Sequence, residues 1–270
     1  MESRHIHMAG LAFYEHHGFT SAAALSFWGV LTTVPFVLFF SGLLGLLTQW
    51  LGGGAPDALV SEMVAGLRQF LPRLDVEVAR YLERVIAEGQ TLSLAAVPLF
   101  LLMSSALLGT LETALGAIFH PTQKRTVTRS TLLGMAFVVA LLFALVATVL
   151  AVTVLGRISG SLGQTVSDVL DLPFLTPIVI ICLGIAAFVV LVRIFALVRV
   201  AWGDCLWGGL LFGVFWTLAR LVFAWYLDTL ASYDLVYGSF AVFVVVILWL
   251  YYTAALFLYS AEWVKVRRAL

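Results

Sequence analysis

The chain has 270 residues, 62% of them hydrophobic and 11% charged, against about 45–50% apolar and about 25% charged in an ordinary soluble domain. Such a composition excludes a soluble globular domain and predicts an all-α integral membrane protein, because helices satisfy their own backbone in lipid. Fifteen basic residues balance fifteen acidic ones, so no concentrated basic face argues for nucleic acid as a partner.

Residues 1–20 are polar and His-rich, with a short amphipathic piece over 11–14, which suits a segment at the cytoplasmic surface. The apolar run that follows, 21–51, is too long for the roughly 7–15-residue apolar region of a signal peptide and reads as a retained span. As one straight helix it would measure about 46 Å, more than a hydrocarbon core of about 30 Å, and so requires tilt or a break. Pro35 is the natural breaking point, since proline removes a donor and clashes with the carbonyl four residues back, while Thr32 and Thr33 are placed to satisfy the freed groups. Two readings of Pro35 stand: a kink that helps packing, and a hinge or broken-helix binding site.

Gly52, Gly53 and Gly54 end this helix, and Pro56 suits the first turn of another. Apolar residues then recur at helical spacing, as Leu59, Met63, Leu67 and Phe70 over 57–71, and as Val78, Leu82, Val85 and Ile86 over 74–88, with Pro72 between. Four arginines are interspersed with acidic side chains there, which suits a solvated lid better than a lipid-binding face. A helical extracytoplasmic cap over 55–89, between spans one and two, is the expectation.

Further spans are expected near 91–119, 131–155, 174–198, 205–226 and 233–263, giving six spans in a single membrane domain covering 1–270. In the fifth, Gly203, Gly208, Gly209 and Gly213 make one face small, while Trp202, Trp207 and Trp216 make another bulky, the pattern of a tightly packed helix with interfacial anchors. Lysine and arginine in the short connections set the orientation: Arg4, then Lys124, Arg125 and Arg129, then Arg193 and Arg199, then Lys265, Arg267 and Arg268 share one side. Both termini are therefore expected in the cytoplasm of a multi-pass membrane protein. The 156–173 loop with Asp168 and Asp171, and the 227–237 turn with Asp228 and Asp234, fall outside.

Ionisable groups inside spans cost about 2.5–3.5 kcal/mol near a helix centre, so each needs a reason. Glu112, Arg193 and Glu262 share a depth near the cytoplasmic ends of their spans, and an ion-paired cluster of the three, with Arg199 and Asp204 nearby, is geometrically possible. Structural pairing and proton or ion coupling are both open for it. Arg220 falls in the outer third, roughly 10–15 Å from the depth of Glu112, so Asp228, Asp234 or Asp171 are its expected partners. Snorkelling or ion pairing is one role for it, and contact with a substrate or anion is the other.

Other chemistry is thin. His5 and His7 have an HxH spacing with no Asp-His pair after it, and His16, His17 and His120 are scattered, so no metal or other cofactor is expected. Cys182 and Cys205 have no CxxC spacing, which disfavours a zinc site or disulfide framework. No Walker loop, dinucleotide fingerprint, HExxH or GxSxG occurs, so neither an enzyme nor ATP-driven transport by this chain alone is predicted.

Three stretches carry a family resemblance: AAALSFWGVLTTVPFVLFF over 22–40, LLGTLETALGAIF over 107–119, and YDLVYGSFAVFVVVILWLYYTAALFLYSAE over 233–262. Together they resemble the YihY/BrkB family of bacterial inner-membrane proteins, also called the virulence-factor BrkB family and formerly labelled ribonuclease BN. The family's YG turn, W-x-Y and terminal Gly-Ala-Glu stand here as Tyr237-Gly238, Trp249-Leu250-Tyr251 and Ser260-Ala261-Glu262, with serine in place of glycine. Ala114-Leu115-Gly116 stands where many members have Ala-Leu-Asn, so any role of that asparagine is absent. The resemblance implies six spans with both ends cytoplasmic and a link to serum resistance or to export of lipid or envelope components, without a settled activity.

Two functions from different classes follow. One is a secondary transporter or translocator of lipid or envelope precursors, with a path along Pro35, Glu112, Arg193, Arg220 and Glu262; the other is a non-transporting envelope scaffold that binds partners through the cap. The bilayer is the partner common to both, a homo-oligomer is compatible with either, and a membrane nuclease is disfavoured by the missing ligand pattern.

Overall fold

The computed structural model describes residues 2–50, 90–121, 125–158, 175–230 and 240–269. The expected cap over 55–89, Asp171, Asp234 and most of both outer connections lie outside these residues. Among the described residues there are seven α-helices and no strand: α1 (Glu2–Glu15), α2 (Gly18–Trp50), α3 (Gln90–Phe119), α4 (Val127–Ile158), α5 (Leu175–Phe195), α6 (Trp202–Leu230) and α7 (Phe240–Ala269). Four stretches, Gly18–Phe36, Ala96–Phe119, Trp202–Tyr226 and Val244–Arg268, are long and apolar enough to cross a membrane. Shorter apolar stretches occupy Thr128–Ala144 in α4 and Ile181–Phe195 in α5. Large side chains such as Val34, Phe143, Val222 and Trp225 are exposed, which in a soluble protein would be a liability and in lipid is the ordinary surface.

Two expectations are corrected. The short amphipathic piece over 11–14 belongs to a full helix, α1, because Ala9 and Phe13 are both buried and Phe13 meets Tyr259 of α7 edge-on at 6.2 Å between ring centroids. Residues 21–50 lie in one continuous helix that carries Pro35 inside it, so the alternative of a helix interrupted there does not hold, while a kink at Pro35 is compatible with it. Nor do the threonines serve the carbonyl that Pro35 deprives of a donor. The Thr32 hydroxyl donates to Trp28 O at 2.7 Å and the Thr33 hydroxyl to Gly29 O at 2.8 Å, each bonding back one turn along its own helix.

Three helices end on a residue in the left-handed region: His17 (φ 55°) follows α1, His120 (φ 47°) follows α3, and Leu197 (φ 59°) follows α5. This conformation closes a helix by turning the last N–H groups back onto free carbonyls, as when His120 N–H donates to Gly116 O at 3.1 Å. Glycine is the usual occupant, so a leucine there holds a strained backbone.

The helices contribute to two compact units, one of Met1–Leu25, Leu108–Ala219 and Tyr251–Leu270, the other of Ser26–Leu107 and Arg220–Leu250. Within the second, Phe100 packs on Phe36 and Phe39 at 5.6 and 5.7 Å, and Trp249 on Phe223 at 5.1 Å. Within the first, Phe188 of α5, Phe212 of α6 and Phe257 of α7 form a ring cluster with centroids 5.1 to 6.0 Å apart. Lipid tails are as apolar as these side chains, so burial alone does not drive such contacts; close packing does.

Small residues provide it. A Cβ at Gly213 would sit 3.0 Å from Ile181 O, and one at Gly209 would sit 3.1 Å from Ile185 O, so α5 and α6 approach at backbone distance. Gly208 faces α7 as well: a methyl there would collide with Val264 and lie 2.8 Å from Phe188 Cε1. Gly208→Ala is therefore expected to lower stability by about 1–3 kcal/mol, whereas Gly203→Ala, which enters open space, should stay within about 0.5 kcal/mol. Unfolding midpoints in mixed detergent micelles check the pair, and equal midpoints would remove the tight contact.

Candidate functional site

Polar chemistry inside the first unit gathers at three places, all near helix ends. The first is Glu262 on α7, which is 1% exposed. Its Oε1 accepts a hydrogen bond from Nδ1 of His16 at 2.5 Å, and its Oε2 is buried with no hydrogen-bond partner. His16 is placed by the break between α1 and α2, where its backbone N–H still donates to Ala12 O while His17 turns left-handed. The His120 ring stands edge-on to that of His16, with centroids 5.2 Å apart. Lys265 follows one turn after Glu262 on the same helix. Among the described residues no three His, Cys, Asp or Glu side chains gather closely enough to hold a metal.

The second is Glu112, 7% exposed on α3. It accepts a hydrogen bond from the Ser130 hydroxyl at 2.9 Å, and Arg125 Nη1 lies 3.5 Å from the same Oε2. Arg125 comes from the short connection into α4 and Ser130 from the first turn of that helix. Thr126 caps that helix, its carbonyl accepting from Ser130 N–H at 3.0 Å, which brings Ser130 round to face α3. Arg125 also donates to Ile194 O at 3.3 Å and so ties the end of α5 to the pair.

The third is a cavity of about 370 Å³ between the start of α4 and the end of α5, whose wall includes Arg125, Thr126, Arg129, Arg193, Leu197 and Arg199. Arg193 donates to Val200 O at 3.3 Å and stacks on Trp202 with its guanidinium 3.7 Å from the ring centroid. Arg268, from the last turn of α7, donates to Arg199 O at 3.4 Å.

The single cluster of Glu112, Arg193 and Glu262 that shared depth allows is resolved into separate partnerships. Glu112 takes Arg125, Glu262 takes His16, and Arg193 turns to Trp202 and the α5–α6 turn. Depth ranks side chains along the membrane normal but not around each helix, and an arginine in the last turn of α5 reaches the connection that follows it first. Asp204 lies in the first turn of α6, where a carboxylate complements the helix dipole. Pro35, buried on α2, and Arg220, half-buried on α6, belong to the second unit. Asp228 is on α6 too, but its side chain is outside those described. His16, Arg125 and Ser130 are the residues the spacing argument passed over, and the signal available for them was their position beside a span end that carries a buried carboxylate.

Comparison with known proteins fits this arrangement to a family. The chain is 26% identical over 251 residues to a UPF0761 membrane protein of Cronobacter sakazakii, covering 92% of this chain and 83% of that one. It is 25% identical over 251 residues to one of Rhodospirillum centenum, covering 93% and 54%, and 26% identical over 247 residues to one of Bordetella petrii, covering 89% and 52%. The chain thus spans about half the length of the last two relatives. No solved structure matches it. The model of the family described as Virulence factor BrkB matches residues 11–269, and the protein is a membrane protein belonging to that family.

Proposed function

We propose that this protein is a secondary transporter or translocator of lipid or envelope components, crossing the bacterial inner membrane six times with both termini in the cytoplasm. The observation that supports this most is the buried acid–base pair of Glu262 and His16, with one carboxylate oxygen left unpartnered. A packed scaffold has no use for an unsatisfied carboxylate in an apolar helix, where such a group is expensive. A proton-coupled carrier needs one, because adding a proton to Glu262 neutralises the pair and weakens the hold of the α1–α2 turn on α7. That turn is the bistable element such a carrier requires.

The two buried carboxylates then have different roles. Glu112 has both a hydroxyl and a guanidinium on one oxygen, the pattern of a structural pair that fixes α3 against α4, whereas Glu262 keeps an oxygen in reserve.

In proteoliposomes with a fluorescent phospholipid in one leaflet, an imposed pH gradient is expected to accelerate its transfer by the wild type, and Glu262→Gln should lower the gradient-driven rate by about tenfold, equivalent to about 1.4 kcal/mol of coupling. Transfer by the wild type no faster than in protein-free vesicles would instead favour the scaffold. Arg125→Ala should act on stability, costing about 3 kcal/mol because it strands the Glu112 carboxylate. Adding Glu112→Gln to that variant should restore most of the loss, and a double-mutant cycle in mixed micelles measures this.

A further inference from the structure

We propose that the arginine-walled cavity between α4 and α5 is a binding site for a phosphate-bearing anion, either the headgroup of an anionic lipid or free phosphate. The site uses none of the groups placed in proton coupling, and it holds whether or not the protein moves what it binds.

Charge is the first argument. Arg125, Arg129, Arg193 and Arg199 all line a space of about 370 Å³, and among the described residues Arg125 is the one of the four with a carboxylate partner, Glu112. Among the described residues no carboxylate lies within ion-pair distance of the other three, and Arg129, Arg193 and Arg199 are exposed.

Placement is the second. Arginines with no task but to mark a membrane face would spread over a convex surface and snorkel separately. Here two separate stretches, residues 125–129 at the start of α4 and 193–199 at the end of α5, bring four arginines to the wall of one concavity. Arg193 is preset by Trp202, which holds the guanidinium plane while leaving edge N–H groups available. Leu197 is held in its left-handed conformation at the wall itself, a strain that a merely connecting turn would relieve with glycine.

Chemistry selects the ligand. Planar guanidinium forks match the oxygens of phosphate in two-point contacts, and basic pockets between membrane helices suit phosphorylated headgroups. The start of α4 adds its unpaired first-turn N–H groups beside Thr126. The carbonyl end of α5, which would repel an anion, is partly occupied already, because Arg125 takes Ile194 O.

The test uses the full chain in detergent micelles, titrated in native mass spectrometry with phosphatidic acid, with phosphatidylcholine and with inorganic phosphate. Phosphatidic acid retained well above phosphatidylcholine assigns the site to a lipid headgroup, and retention of inorganic phosphate as well assigns it to phosphate from solution. The double variant Arg129→Gln/Arg199→Gln should weaken the retained ligand by about 100-fold, roughly tenfold for each charge-assisted contact. Arg129→Lys/Arg199→Lys should keep the greater part of the affinity, and Arg267→Gln, which removes one positive charge from α7 outside the cavity, should keep all of it. Protection of Arg129 and Arg199 of the wild type from phenylglyoxal by the bound ligand gives a second readout that needs no variant. Binding of neither anion above phosphatidylcholine, undiminished binding by the glutamine variant, or unprotected arginines overturns the proposal.

Discussion

Polar groups enclosed by apolar helices must find partners within the protein, and that constraint orders the rest of this structure. Water is absent from the hydrocarbon region, and an unpaired backbone or side-chain group there costs several kcal/mol. Glu112 meets the requirement by drawing Arg125 and Ser130 to it, and Glu262 meets it with one oxygen by drawing in His16. Each pair thereby fixes a connection to a helix: the α3–α4 turn to α3, and the α1–α2 turn to α7. The helices are long enough to be placed many ways by apolarity alone, and the pairs choose among those placements.

The same constraint explains why α5 and α6 are so close. With no hydrophobic gain from burying Ile181 or Ile185 out of lipid, the contact must come from dispersion at short range. Glycines at 209 and 213 permit it by leaving nothing between the backbones. Aromatic rings from α5, α6 and α7 then fill the space beside the glycines, with Phe188 and Phe257 almost in contact at 5.1 Å. Small and large side chains on the two faces of α6 thus perform complementary tasks, one admitting a neighbour's backbone and the other occupying the volume left over.

How much of this was legible follows from what hydropathy encodes. Length and apolarity locate a helix, so α3, α6 and α7 overlap closely with the runs read from the sequence, and the glycine face of α6 marked its own packing. Rotation about the helix axis is another matter. Helices such as α2, α6 and α7 are apolar on all sides, so polarity does not say which face a side chain such as Glu262 presents. Depth was readable and azimuth was not, which is why Glu112, Arg193 and Glu262 looked like one cluster and are three separate contacts. The partners that matter most, His16 and Arg125, lie in connections, where spacing has no period to read. Pro35 does not interrupt its helix, because proline removes one donor and the other helical bonds of α2 continue on both sides of it.

Arginines at this end of the helices have a simpler explanation, namely that positive charge in short connections sets the orientation of a membrane protein. That requirement concerns number and side, and it is indifferent to geometry. Lys265, Arg267 and Arg268 would satisfy it from α7 alone without enclosing anything. Arg125, Arg129, Arg193 and Arg199 do something further, since they line one space from the start of α4 and the end of α5, and an anion between them lowers the energy of holding like charges together. A topogenic signal needs no Trp202 under Arg193 and no left-handed leucine in the wall. Concavity, preset guanidinium planes and a strained turn are features of a site, and they separate these four residues from the arginines that only mark a side.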